Sequence, residues 1–258
     1  MKVILLCGGF GTRLSEETHL KPKPMVTIGD KPILWHVMNV YSQFGFNDFV
    51  LALGYKAEVI KEYFMNFYAL NSDLKISLKD GQVDCLNKLS QNWNIDCIDT
   101  GLNSMTGGRL HRLEEHMKDE DIFMLTYGDG LADIDIKKLV AFHKAHGKIA
   151  TLTSVRPPSR FGEIVMDGDQ ITEFKEKPRS TEGWINGGFF VFNKEVFKYL
   201  KGDQTILERE PLEKLAKDGE LMAYKHEGFW QCMDTLRDKT SLDKMWDSGQ
   251  AKWMQNVQ

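Results

Sequence analysis

The chain has 258 residues, 42% hydrophobic and 27% charged, enough for one sizeable globular core, which excludes a disordered chain. With 33 lysines and arginines against 37 aspartates and glutamates, the formal charge of −4 excludes a bulk attraction to nucleic acid or anionic membrane, leaving only local basic pockets. No stretch approaches the ~18 apolar residues of a spanning helix, and Cys7, Cys85, Cys97 and Cys232 form no CxxC pair, a pattern that suits reduced thiols in the cytoplasm.

In chain order, Val3–Leu6 is a short apolar run that meets glycines at once, so it reads as a buried strand and not as a signal peptide. Residues 32–43 carry Ile33, Leu34, Val37, Met38 and Tyr41 at helical spacing. Asp48–Leu53 is the next strand and 57–68 the next helix. Residues 122–126 and Ala150–Val155 read as further buried strands, with a helix over Ile136–His146 between them. This alternation implies an α/β fold, a Rossmann-like mixed and mostly parallel sheet flanked by helices, with a ligand crevice at the carboxyl ends of the strands. After Arg156 the pattern changes. Residues 163–166 and 171–174, joined by Asp167-Gly168-Asp169-Gln170, predict a hairpin, a small β-rich insertion. A strand over 184–192 follows, then helices over 208–217 and 236–246 around a short strand near 221–224. With no linker and no repeat, one domain over 1–258 is expected.

The first strand runs into Leu6-Cys7-Gly8-Gly9-Phe10-Gly11-Thr12-Arg13-Leu14. Glycines let backbone amides approach a ligand without Cβ interference, and turned amides hold phosphate oxygens, with Thr12 and Arg13 as added donors. A Walker loop would end in Gly-Lys-Ser/Thr, and a dinucleotide loop would need glycine where Leu14 stands; neither fits. Lys21-Pro22-Lys23-Pro24 then sets two cations on a stiff loop, where Lys23 with Arg13 can neutralise charge building on a departing pyrophosphate. Further on, the apolar strand ends in Tyr127-Gly128-Asp129-Gly130, so Asp129 faces the crevice as a metal-ligand candidate.

The Gly-Gly-x-Gly-Thr-Arg-Leu loop and the Lys-Pro segment resemble the sugar-phosphate nucleotidyltransferases. Cys7 stands where that family usually has alanine. The resemblance implies a fold of the nucleotide-diphospho-sugar transferase type, with a nucleotide-binding part over 1–155 and a sugar-binding and C-terminal part over 156–258. It implies Mg2+ held by Asp129 and Asp234, the latter also readable as a helix N-cap. It implies nucleotide contacts from Leu6, Cys7, Gly8, Gly9, Phe10, Gly11, Thr12, Arg13, Lys23 and Gly128. In Glu176-Lys177-Pro178 the glutamate meets sugar hydroxyls and Lys177 the sugar phosphate; Asn186 and Gly187, in a strand resembling the family's Asn-x-Gly segment, meet the hexose.

Ser104-Met105-Thr106-Gly107-Gly108-Arg109 reads as a glycine pair opening a helix whose polar groups reach a base edge, with Arg109 donating to a carbonyl such as cytosine O2. Together with residues 127–133, 185–190 and 229–238, it resembles the cytidylyl-transferring members acting on glucose 1-phosphate, which implies CTP and glucose 1-phosphate as substrates. Asp133 and Asp135 match a glycosyltransferase Asp-x-Asp pattern but suit a helix start better, Asp135 above all. Relatives are usually homo-oligomers, and the polar-aromatic stretch 64–93 is the expected contact region.

Overall fold

The computed structural model describes residues 1–87, 91–157, 163–167, 170–175 and 183–254. Seven strands build the central sheet: β1 (Val3–Leu6), β2 (Asp48–Leu53), β3 (Asn94–Asp99), β4 (Ile122–Tyr127), β5 (Ala150–Val155), β6 (Ile185–Asn193) and β7 (Leu221–His226). Their order across the sheet is β7-β5-β6-β4-β1-β2-β3. All neighbours run parallel except β6, which is antiparallel to both β4 and β5. The mixed, mostly parallel sheet expected from the sequence is therefore present.

Both faces of this sheet are covered, so its inner strands are apolar throughout and do not alternate. Val3 and Leu5 point into one core and Ile4 into the other; Leu51 and Leu53 split likewise from Val50 and Ala52. The first core is roofed by α1 (Ile33–Ser42), which buries eight of its ten residues. The second is closed by α3 (Thr106–Arg112) and α5 (Glu210–Lys217), through Leu110, Leu212 and Leu215. The other main helices are α2 (Ala57–Met65), α4 (Ile136–His146) and α6 (Leu236–Asp247). None of the described helices is long and apolar enough to cross a membrane.

The edge strand β3 escapes the sequence reading because its burial alternates weakly and Asn94, Asp96 and Asp99 are exposed. The 64–93 stretch contains an antiparallel hairpin, Asp73–Ser77 with Gln82–Leu86, showing Leu74, Ile76 and Val83 to solvent. The helix expected over 57–68 ends at Met65, where Asn66 leaves helical geometry before a short turn at Phe67–Leu70. Glu163–Asp167 and Gln170–Lys175 pair as expected, while residues 168 and 169 of their turn lie outside the described ones.

Candidate active site

The carboxyl ends of β1 and β4 lie side by side, with Leu6 paired to Tyr127. Beyond β1 the loop turns at Gly11, whose φ of +65° is the left-handed region that favours glycine. A Cβ there would stand 2.9 Å from Thr18 Cγ2 and 3.0 Å from Lys23 Cβ. Pro22 holds an extended entry to a short 3-10 turn, Lys23–Met25, whose Pro24 ring packs against Gly128. The loop, the lysine turn and the end of β4 thus enclose one corner.

Asp129 follows β4, and its carbonyl accepts from Met233 N at 2.9 Å. Trp230–Cys232 pairs antiparallel with Gly130–Ala132, which carries the C-terminal part of the chain to the same corner. Asp234 comes next. It does not cap α6: Thr235 does, accepting from Asp238 N while Asp238 accepts from Thr235 N. The Asp234 carboxylate is left to face Lys23, whose Nζ lies 2.5 Å from Asp234 Oδ1 and 2.6 Å from Asp129 Oδ2. Burial alone would lower the Lys23 pKa, but the two facing carboxylates outweigh it and hold the ammonium above its usual value. Burial and the same carboxylates push the Cys232 thiol up to about 12, so it stays neutral beside them.

These groups line a cavity of about 830 Å³. Of the residues singled out from sequence, Leu6, Cys7, Gly9, Phe10, Gly11, Thr12, Lys23, Ser104, Arg109, Gly128, Asp129, Asn186 and Asp234 border it. Gly8 sits behind the wall, where a Cβ would meet the Arg109 guanidinium at 2.2 Å. Gly187 is also outside it: its carbonyl accepts from Trp230 Nε1 at 2.8 Å, and its close neighbours are Val155 and Thr153. Arg13 lies in the 3-10 turn Thr12–Leu14. Glu176 and Lys177 lie outside the described residues.

One expectation needs correction. Arg109 does not offer free terminal donors to a base: Nη1 donates to Leu53 O, Thr100 Oγ1 and Gly101 O, and Nη2 to Gly8 O and Leu102 O. It is a buried clamp that ties together four backbone carbonyls from three segments, around Gly8, Leu53 and Gly101–Leu102. The Gly107–Gly108 pair serves packing and not the ligand. A Cβ on Gly108 would stand 2.1 Å from Asp203 O, and Gly108 N donates to Thr205 O at 3.0 Å. What borders the cavity here is Leu102 to Thr106, together with Arg109.

Asp135 is the N-cap of α4, accepting from Lys138 N, as expected. Asp133 lies 3.0 Å from His226 Nε2 and does not border the cavity. The Asp-x-Asp pattern therefore has no metal-site geometry here. Sequence reasoning missed Glu208, Tyr127 and Trp230 as cavity residues. Tyr127 and Trp230 stood in stretches already singled out; Glu208 carried no signal, since it read as the first residue of a helix that in fact begins at Glu210.

Residues 2–238 match the nucleotidyl transferase family. The chain belongs to that family. This nucleotidyl transferase is 53% identical over 253 residues to the glucose-1-phosphate cytidylyltransferase of Salmonella typhi, covering 98% of each chain. It is 31% identical over 250 residues to the mannose-1-phosphate guanylyltransferase catalytic subunit beta of Dictyostelium discoideum, covering 95% of this chain and 64% of that one. Among solved structures, HddC from Yersinia pseudotuberculosis complexed with GMP-PN superposes with a TM-score of 0.69 at 23% identity, over 95% of this chain and 99% of that one, a likeness of fold.

Proposed function

We propose that this nucleotidyl transferase moves the cytidylyl group of CTP to α-D-glucose 1-phosphate, giving CDP-glucose and pyrophosphate. The observation that carries this reading is the 53% identity, end to end, with a glucose-1-phosphate cytidylyltransferase. The convergence of Lys23, Asp129 and Asp234 on one cavity supports the chemistry.

The sugar phosphate attacks the α-phosphorus of CTP in line as pyrophosphate leaves. Its oxygen is already anionic, so no general base is required, and catalysis is positioning plus charge stabilisation. The turned amides of residues 8–12, with Arg13, hold the departing pyrophosphate. Lys23 serves the phosphates nearer the reaction. Lys177 takes the sugar phosphate, and Glu176 and Asn186 the hexose. The Leu102–Thr106 loop, held by the Arg109 clamp, reads the base.

Asp129 and Asp234 suit Mg2+, since two hard carboxylates that already share one cation have the oxygen donor set this ion prefers. When bound, Mg2+ would neutralise phosphate charge beside them. Cytoplasmic homo-oligomers, and CDP-glucose destined for the dideoxysugars of lipopolysaccharide O-antigen, belong to the same proposal through the family resemblance. The exposed apolar residues of the 73–86 hairpin support assembly.

Pyrophosphate release with glucose 1-phosphate and Mg2+, run separately with CTP, UTP, dTTP, ATP and GTP, tests the reading. Release with CTP alone is expected. Release with GTP and not CTP would place the chain's activity beside that of the guanylyl-transferring relatives and overturn it.

A further inference from the structure

The cavity contains a polar cluster that the phosphate chemistry does not use. Tyr127, the last residue of β4, lies 2.5 Å through its hydroxyl from Glu208 Oε1. The other carboxylate oxygen, Oε2, accepts from Thr106 Oγ1 at 2.6 Å, and that hydroxyl accepts from Leu207 N at 2.9 Å. An ionised carboxylate has no proton to give, so Tyr127 must be the donor in its bond to Glu208. Burial, with the charge of Glu208, raises the phenol pKa and keeps that proton in place.

With its proton committed, the phenol oxygen can only accept from its other neighbour. That neighbour is Asn186, whose Nδ2 donates to it at 3.2 Å. Asn186 Oδ1 meanwhile accepts from Gly188 N at 2.8 Å. The two bonds select one of the two orientations of the amide, and they leave a single N–H of Asn186 for the cavity. Without Glu208 the phenol would be free to turn its proton toward Asn186 and cease to accept from it, leaving the amide orientation to the Gly188 N bond alone.

We infer that Glu208 and Tyr127 are positioning residues for the sugar end of the site: they fix the Asn186 amide so that it presents an N–H to an acceptor oxygen of the hexose. The inference rests on the proposed reading of Asn186 as a hexose contact. Because Thr106 binds the same carboxylate from the start of α3, one side chain braces both the loop beside the base and the residue beside the sugar.

The test uses initial rates of pyrophosphate release by the whole chain, with each substrate varied in turn. Tyr127→Phe keeps the ring, which packs over Gly188, and removes only the hydroxyl. It is expected to raise KM for glucose 1-phosphate about tenfold, the scale of one or two lost hydrogen bonds, with KM for CTP within about twofold and the melting temperature held. Asn186→Ala should do the same, and the double variant should be no worse than Asn186→Ala alone. Glu208→Gln, which can still accept from Tyr127, should shift the same constant by less, and it carries the test if Tyr127→Phe does not fold. Equal changes in both KM values, no change, or full additivity with Asn186→Ala would overturn the inference. A wild-type chain silent with CTP and glucose 1-phosphate would remove the reading beneath it; an active wild type with indifferent variants removes this inference alone.

Discussion

Lys23 is held by two carboxylates that would otherwise repel each other, and it is itself mostly buried. Removing it withdraws a positive charge from the corner proposed to take phosphate oxygens and leaves Asp129 and Asp234 facing one another. Lys23→Ala is therefore expected to lower kcat/KM by about 10²–10³-fold, the scale of one lost charge-stabilising donor. Pyrophosphate release under saturating Mg2+ measures this, and turnover near the wild-type level would refute the role. Lys23 and Asp129 were legible in the sequence because they sit on a proline-stiffened turn and at a strand end facing the crevice, whereas Asp234, equally readable as a helix N-cap, was reached only through the family resemblance. Arg109 was misjudged for the opposite reason. A guanidinium announces five donors, but only the packed turns around Gly8, Leu53 and Gly101 decide that backbone carbonyls receive them. Glu208 was invisible because its partners, Thr106 and Tyr127, lie 102 and 81 residues away in sequence.

At the scale of elements, two glycine pairs that look alike in sequence do different work. Gly9 borders the cavity, and a Cβ there would meet nothing within 4 Å. Gly9→Ala should leave stability within about 0.5 kcal/mol while weakening CTP binding, if phosphate approaches this loop as proposed. Gly108 is a packing glycine in α3, and its added Cβ would strike the backbone at Asp203. Gly108→Ala should therefore cost about 1–3 kcal/mol, as overpacking does. Urea unfolding beside calorimetric CTP binding separates the two, and the prediction fails if both variants lose stability alike. The strands and helices were legible wherever burial imposes a period. The exposed edge strand β3 was not, since its outward residues are polar and its inward ones few.

The molecule as a whole is fastened by its C-terminal part. Trp253 is buried, and its indole N–H donates to His36 Nδ1 at 3.2 Å in the middle of α1, while His36 Nε2 donates to Ile28 O at 3.0 Å. Both ring nitrogens are satisfied only in the neutral ring, and burial lowers the His36 pKa from 6.5 to about 4. Between these values the unfolded chain takes up a proton that the folded chain refuses. Stability from this group is thus fully present above pH 6.5 and is lost as pH falls toward 4, by about 3 kcal/mol in all. His143, also lowered by burial, adds to the loss in the same direction. Unfolding free energies measured from pH 7.5 to 4.5 should fall more steeply for the wild type than for His36→Gln; parallel slopes would exclude His36 as a source.

The pairing of Lys23 with Asp234 joins residues 211 positions apart. At about 5–20 residues per second, the ribosome delivers the aspartate roughly 10–40 s after the lysine. Through that interval the glycine loop and the lysine turn can already have left the tunnel, yet they wait without the second carboxylate. Strand β6 must also slip between β4 and β5 after both have been made. If both carboxylates serve the reaction as proposed, competence to act on a triphosphate arrives only once Asp234 has been made, so a translation product interrupted before it has the loop of this enzyme without its chemistry.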